Sequence, residues 1–127
     1  MQRTFIQWGT VLMALSVAIG AFGAHLLESR IGQDALEIYE TGVHYHMIHG
    51  IALILVGLAA GQWGESKKLN VAGWMFMVGV ILFSGSLYVL SISGITMLGA
   101  ITPLGGVAFI IGWLYFMADV FRRDKHS

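Results

Sequence analysis

The fold this sequence predicts is an all-α, four-helix transmembrane bundle, and three observations carry that prediction. First, the 127 residues are 57% hydrophobic and only 11% charged, with a mean hydropathy of +0.77. An average soluble domain is roughly 45–50% apolar and about 25% charged. A soluble chain of this size leaves about a third of its surface in water and needs charge to coat it, so this composition belongs to a chain solvated by lipid. Second, no Asp, Glu, Lys or Arg falls between Val71 and Ala118, a run too long for one pass. Third, four stretches each supply the about 20 apolar residues that cross a hydrocarbon core roughly 30 Å thick.

The first span covers residues 5–24, interrupted only by Gln7, Thr10 and Ser16. Its basic start and Ala21-x-Gly23 also have the look of a secretory signal. The later spans are strong enough to make this a membrane protein either way, and the segment is read as a span. An outer connection, His25–Val43, holds Glu28, Asp34, Glu37 and Glu40 against Arg30. Ile31, Ala35 and Ile38 recur there at helical spacing, with Asp34 as a candidate N-cap. A short amphipathic helix is therefore expected in this first outer loop, on the surface and running into the second span at 44–62. The third span is placed at 71–90 and the fourth at 98–118. Between them, Ser91–Thr96 is β-branched and contains Gly94, which predicts a tight hairpin, and Pro103 suits the first turn of the next helix.

Four passes bring both termini to one side. Arg3, Lys67, Lys68, Arg122, Arg123 and Lys125 share that side, and Arg30 stands alone on the other. Positive residues stay inside, so both termini are expected in the cytoplasm and the chain in the cytoplasmic membrane. All four tryptophans, Trp8, Trp63, Trp74 and Trp113, lie in the halves nearer the same face, Trp63 and Trp74 as interfacial anchors and Trp113 deeper, where it is expected to pack. Lipid supplies no hydrophobic drive between helices, so small residues must let backbones approach. Ser16, Gly20 and Ala24, then Gly57 and Gly61, then Ala108 and Gly112 form such stripes, read as packing within one bundle. No repeat, linker or low-complexity stretch divides the chain, and one integral membrane domain, 1–127, is expected.

Net charge is zero, which lacks the basic footprint that nucleic acid requires. With no cysteine, there is no disulfide, thiolate nucleophile or iron–sulfur cluster. No phosphate-cradling loop or Gly-x-Ser-x-Gly elbow is present, and no carboxylate lies deep in a span. Asp119 sits at the cytoplasmic end, facing Arg122 or Arg123. The reading is of a non-enzyme whose partners are membrane lipid and, beyond it, a second copy or another membrane protein.

Ionisable groups inside a membrane are functional candidates, and here they are histidines. His25 ends the first span, and His44, His46 and His49 enter the second. Ser84, Ser86 and Tyr88 in the third span and Thr102 in the fourth gather at the same outer depth. His25, His49, Tyr88, Thr102, Ser84 and Ser86 are the candidates for a ligand- or proton-binding cluster. At 100° per residue, His46 and His49 lie about 60° apart on a helix and His44 about 140–160° from both. The three cannot share one ion, so a metal would need His25 or Glu40 as well, and a bis-histidine haem would need His25 opposite His49. Hydrogen bonding by His25 and His49 across helices is the leading expectation, and no metal or cofactor is assigned. Glu40 and His44, four apart, are expected to pair at the surface.

Four ordered motifs then carry a resemblance: Gly20-Ala21-Phe22-Gly23-Ala24-His25; Thr41-Gly42-Val43-His44-Tyr45-His46-Met47-Ile48-His49; Phe83-Ser84-Gly85-Ser86-Leu87-Tyr88; and Leu98-Gly99-Ala100-Ile101-Thr102-Pro103-Leu104-Gly105-Gly106. Over nearly the whole chain the sequence resembles the small membrane proteins grouped as domain of unknown function 423, which are similar to the eukaryotic transmembrane protein 256. The resemblance implies a multi-pass helical protein, in bacteria of the cytoplasmic membrane, with no assigned activity. His25 and His49 fall on the family's histidine positions. His44 and His46 depart from it, since Gln is common there, which leaves His25, His49, Tyr88 and Thr102 as the shared candidates. Three functions remain open: a non-enzymatic accessory or assembly component, a small oligomeric transporter or channel using the outer polar cluster, and a haem- or quinone-binding redox subunit.

Overall fold

The structure, a computed structural model, describes residues 2–126 and the side chains of residues 2–123. Three of its helices are α1 (Gln2–Leu27), α2 (Gln33–Trp63) and α3 (Lys67–Ser93). A 3₁₀ turn at Thr96–Ala100 leads into α4 (Thr102–His126). All four are long and apolar enough to cross a membrane, and no strand occurs among the described residues. The helices overrun the predicted spans, because backbone hydrogen bonding continues past the last apolar residue into the interface, except at the start of the fourth, where 98–100 lie in the 3₁₀ turn and the α-helix begins at Thr102.

Local chemistry sets the boundaries. The short helix expected around Ile31–Ile38 does not stand alone: the chain is helical from Gln33, leaving Ile31 in the preceding bend, and no break separates this stretch from the second span, so α2 is a single helix of 31 residues. At about 1.5 Å per residue it is roughly 46 Å long, so its N-terminal turns stand beyond a hydrocarbon core of about 30 Å. The N-cap is Gly32, extended at ψ 166, and Asp34 lies inside the first turn. The expected Asp34 cap is corrected by two residues: the chain straightens at Gly32, and Asp34 acts only as a charge near the helix's positive end. α2 stops at Gly64, whose φ of +97 only glycine adopts freely. Ser66 then caps α3, its Oγ accepting from Leu69 N–H at 3.1 Å. The predicted hairpin is tight: Gly94 turns left-handed at φ +73, and Pro103 is the second residue of α4.

α2 and α3 are central, with α1 seated on α2 and α4 on α3. Half of the most apolar window of α2 is buried, against 11% for α1. Glycines set the α1–α2 register, Gly57 meeting Ile6, Gly9 meeting Ile54, Gly50 meeting Met13 and Gly20 meeting Val43. On the other side Gly105 lies against the Phe83 backbone, Gly79 against Phe109 and Gly112 against Phe76. The small-residue stripes thus serve packing within the bundle, as the sequence suggests. The inner half is filled by Phe5, Leu53, Val56, Leu69, Ala72 and Phe76, none more than 1% exposed. Leu58, Ile81, Ile110 and Phe121 point outward instead, an apolar exterior that a bilayer would cover.

Two further features locate the polar residues. α1 carries a π turn at Ala18–Gly23 and α3 another at Val80–Ser84. At the opposite end, Asp119 is wholly buried. It accepts from Ser66 Oγ at 2.6 Å and from Arg123 Nε at 2.6 Å. Arg123 also donates to the Trp63 carbonyl and, at 2.7 Å, to that of Gly64. One guanidinium therefore closes the end of α2 and holds it to α4. The expected Asp119–arginine pairing is present, but Ser66 and the two carbonyls were not readable from spacing.

Candidate functional site

The helical face of α2 divides its two buried histidines between different neighbours. His49, 4% exposed, turns to α4. Its Nδ1 lies 2.8 Å from the Tyr45 carbonyl, and Trp113 Nε1–H donates to its Nε2 at 2.9 Å. A carbonyl only accepts and an indole N–H only donates. The ring is therefore neutral, with its proton on Nδ1 and its Nε2 lone pair committed to Trp113. Phe109 stacks on it, ring centroids 3.6 Å apart and planes within 9°, and Phe76 packs at 5.5 Å. A groove of about 460 Å³ runs over this spot, lined by Tyr45, His49, Phe83, Pro103, Phe109 and Trp113 among others. The groove is mostly apolar, and His49 offers it an aromatic face rather than a free nitrogen.

His46, 3% exposed, faces α3, and its Nδ1 lies 2.8 Å from the Tyr88 hydroxyl. Tyr39, one helical face along, packs on the Tyr88 ring at 5.3 Å and donates its hydroxyl to the Ile19 carbonyl at 2.6 Å. That carbonyl belongs to the π turn of α1, and Gly23 leaves the room that the Tyr39 hydroxyl occupies. Ser84, in the other π turn, donates to the Gly42 carbonyl at 2.7 Å. Ser86 and Thr102 share a hydrogen bond of 2.6 Å, tying α3 to α4.

Of the sequence-predicted candidates, all but His25 lie in the same half of the bundle, without forming one pocket. Tyr88 joins His46, Ser84 closes on a backbone carbonyl, and Ser86 pairs with Thr102. His49 joins none of them. Its expected hydrogen bond across helices is present, to Trp113, but His25 makes none: it is exposed at the outer end of α1. His25 and His49 are thus on unlike surfaces, and the bis-histidine juxtaposition does not arise. Among the described residues no three of His, Asp and Glu lie close enough to hold a metal ion. Glu40 and His44 form no ion pair; both line a shallow outer recess of about 320 Å³ with Glu37, Thr41 and Tyr45. His46, set aside because Gln is common at its position in the family, is the buried partner of Tyr88, and Tyr39 and Trp113 are the further residues of this region that pattern reading missed. The Phe109/Trp113/Phe116 spacing at three and four marks one aromatic face of α4 and was a usable signal for Trp113. Nothing local announces a π turn, so the partner of Tyr39 was hidden.

Comparison with known proteins agrees with this architecture. The family described as Protein of unknown function (DUF423) matches residues 19–106. UPF0382 membrane protein YwdK of Bacillus subtilis is 48% identical over 112 residues, covering 88% of this chain and 91% of that one. UPF0382 membrane protein SH2409 of Staphylococcus haemolyticus is 43% identical over 120 residues, 94% of this chain and 97% of its own. UPF0382 membrane protein SAB0533 of Staphylococcus aureus is 42% identical over the same length. No solved structure gives a significant match. With four apolar helices, a family match over most of its length and relatives named as membrane proteins, the chain is a multi-pass membrane protein belonging to the DUF423 family.

Proposed function

We propose that this protein is a non-enzymatic accessory or assembly component of the bacterial cytoplasmic membrane, with both termini in the cytoplasm, working through its lipid-embedded surface. The observation that carries this reading is the saturation of His49. Both ring nitrogens are committed, to Tyr45 and Trp113, so the most deeply placed ionisable residue of α2 has no lone pair to offer a proton, metal or solute. Below it the helices close on Phe5, Leu53, Val56 and Phe76, and a polar path from the outer cluster meets a dry core. That geometry disfavours conduction through one copy. The haem reading lacks its second axial ligand, since His25 lies apart. The six-to-one division of Lys and Arg between the two faces supports the cytoplasmic placement of the termini.

Reconstitution into liposomes tests this reading. Flux of protons, alkali cations and small neutral solutes is expected to stay at the level of empty vesicles, while cross-linking in native membranes captures a defined membrane protein. Flux that depends on His49 would overturn the reading in favour of transport.

A further inference from the structure

Among the described residues, one buried side-chain nitrogen or oxygen has no hydrogen-bond partner: Nε2 of His46. Leaving such an atom unpaired forfeits the hydrogen bond it made to water before burial, and native structures resolve it with water or an ion. The ring cannot turn to relieve it, because Tyr88 holds Nδ1 at 2.8 Å.

The groups around that nitrogen define what fits. In the register set by Gly50 against Met13 and Gly20 against Val43, Ser16 of α1 falls level with His46. Ser16 is wholly buried and gives its proton to the Met13 carbonyl at 2.7 Å, so its oxygen is left with lone pairs. The Leu12 carbonyl of α1 lies within reach of the ring without meeting the geometry of a hydrogen bond to Nε2. From α3 comes Tyr88; on α2 itself Tyr39 is turned to Ile19 and His49 to α4. None of these carries a charge. The α1 side offers acceptors only, which places the His46 proton on Nε2 and makes Tyr88 the donor to Nδ1. The two π turns flank this same level, and π turns recur at functional sites.

We propose that this spot is a binding site for a single internal water molecule, which accepts from His46 Nε2–H and donates to Ser16 Oγ and the Leu12 carbonyl. Three hydrogen bonds are the usual complement of a buried water. The water completes a chain from α1 through His46 to Tyr88, joining three helices and adding to the Tyr39–Ile19 bond that already ties α1 to α2. A consequence is that two histidines less than a turn apart hold opposite tautomers, His46 protonated on Nε2 and His49 on Nδ1.

Solid-state NMR of the ¹⁵N-histidine-labelled full chain in lipid bilayers, with magnetisation transferred from water, reads this directly. The expected result is water transfer to a protonated Nε2 of His46, none to His49, and the reverse tautomer at His49. Ser16→Val fills the site and is expected to abolish the His46 transfer while the His49 pattern persists. Absence of transfer at His46 in the native chain, which a direct bond to Leu12 would give, overturns the proposal, as does transfer unchanged in Ser16→Val. If Ser16→Val does not fold, the native-chain measurement decides alone.

Discussion

Arg123→Ala should destabilise the bundle by about 3–5 kcal/mol, the range for removing one partner of a buried ion pair. Asp119 is wholly buried, and without Arg123 it keeps only Ser66 and a 3.5 Å contact to Arg122. The same change strips a donor from the Trp63 and Gly64 carbonyls, the groups a helix C-terminus cannot satisfy internally, and removes the guanidinium lying 5.9 Å over the Trp63 ring. Arg122→Ala is the control. Its side chain is 51% exposed, and an exposed pair is worth about 0–1 kcal/mol. Arg123→Lys should rescue little, because one ammonium cannot reproduce a fork that serves a carboxylate and two carbonyls. Unfolding titrations in detergent micelles compare the three variants; equal losses for Arg122→Ala and Arg123→Ala would contradict the clamp.

His49→Leu should cost about 1–3 kcal/mol, the range for stranding a hydrogen-bonding group, whereas His44→Gln should stay within about 0.5 kcal/mol as a surface change. The asymmetry follows from position on one helix: His44 is exposed, while His49 is sandwiched against Phe109 and accepts from Trp113. Leucine keeps much of the volume but leaves the indole N–H without its acceptor. The loss should therefore shrink in a Trp113→Phe background, giving a coupling of about 0.5–3 kcal/mol. Additive single and double variants would show that the Trp113–His49 bond does not hold α2 to α4.

The helices were legible because lipid solvation demands a long apolar run, which composition displays directly in the uncharged stretch from Val71 to Ala118. Glycine and proline punctuation at Gly94 and Pro103 was legible for the same reason: both act through backbone geometry that needs no partner. Side-chain pairing was less so. The 60° offset of His46 and His49 was correct as geometry, yet it did not tell that a helix wedged between neighbours sends one ring to α3 and the other to α4. His25 looked equivalent to His49 from its depth alone, but α1 is the least buried helix and leaves the His25 side chain exposed. Asp119 was expected to meet an arginine three or four residues on; that Ser66 and Trp63 close the same cluster depends on where the α2–α3 loop lands, which no local pattern encodes.

Four crossings of the bilayer put the loop after α2 on one side of the membrane and the loops after α1 and α3 on the other. Because it contains no cysteine, single probes can be placed at will: Arg30→Cys and Met97→Cys in the two loops at one end, and Lys67→Cys at the other. With a membrane-impermeant maleimide, the account predicts that intact cells label Arg30→Cys and Met97→Cys, and that Lys67→Cys reacts only after the membrane is opened. Labelling of Lys67→Cys from the same side as Arg30→Cys would contradict it.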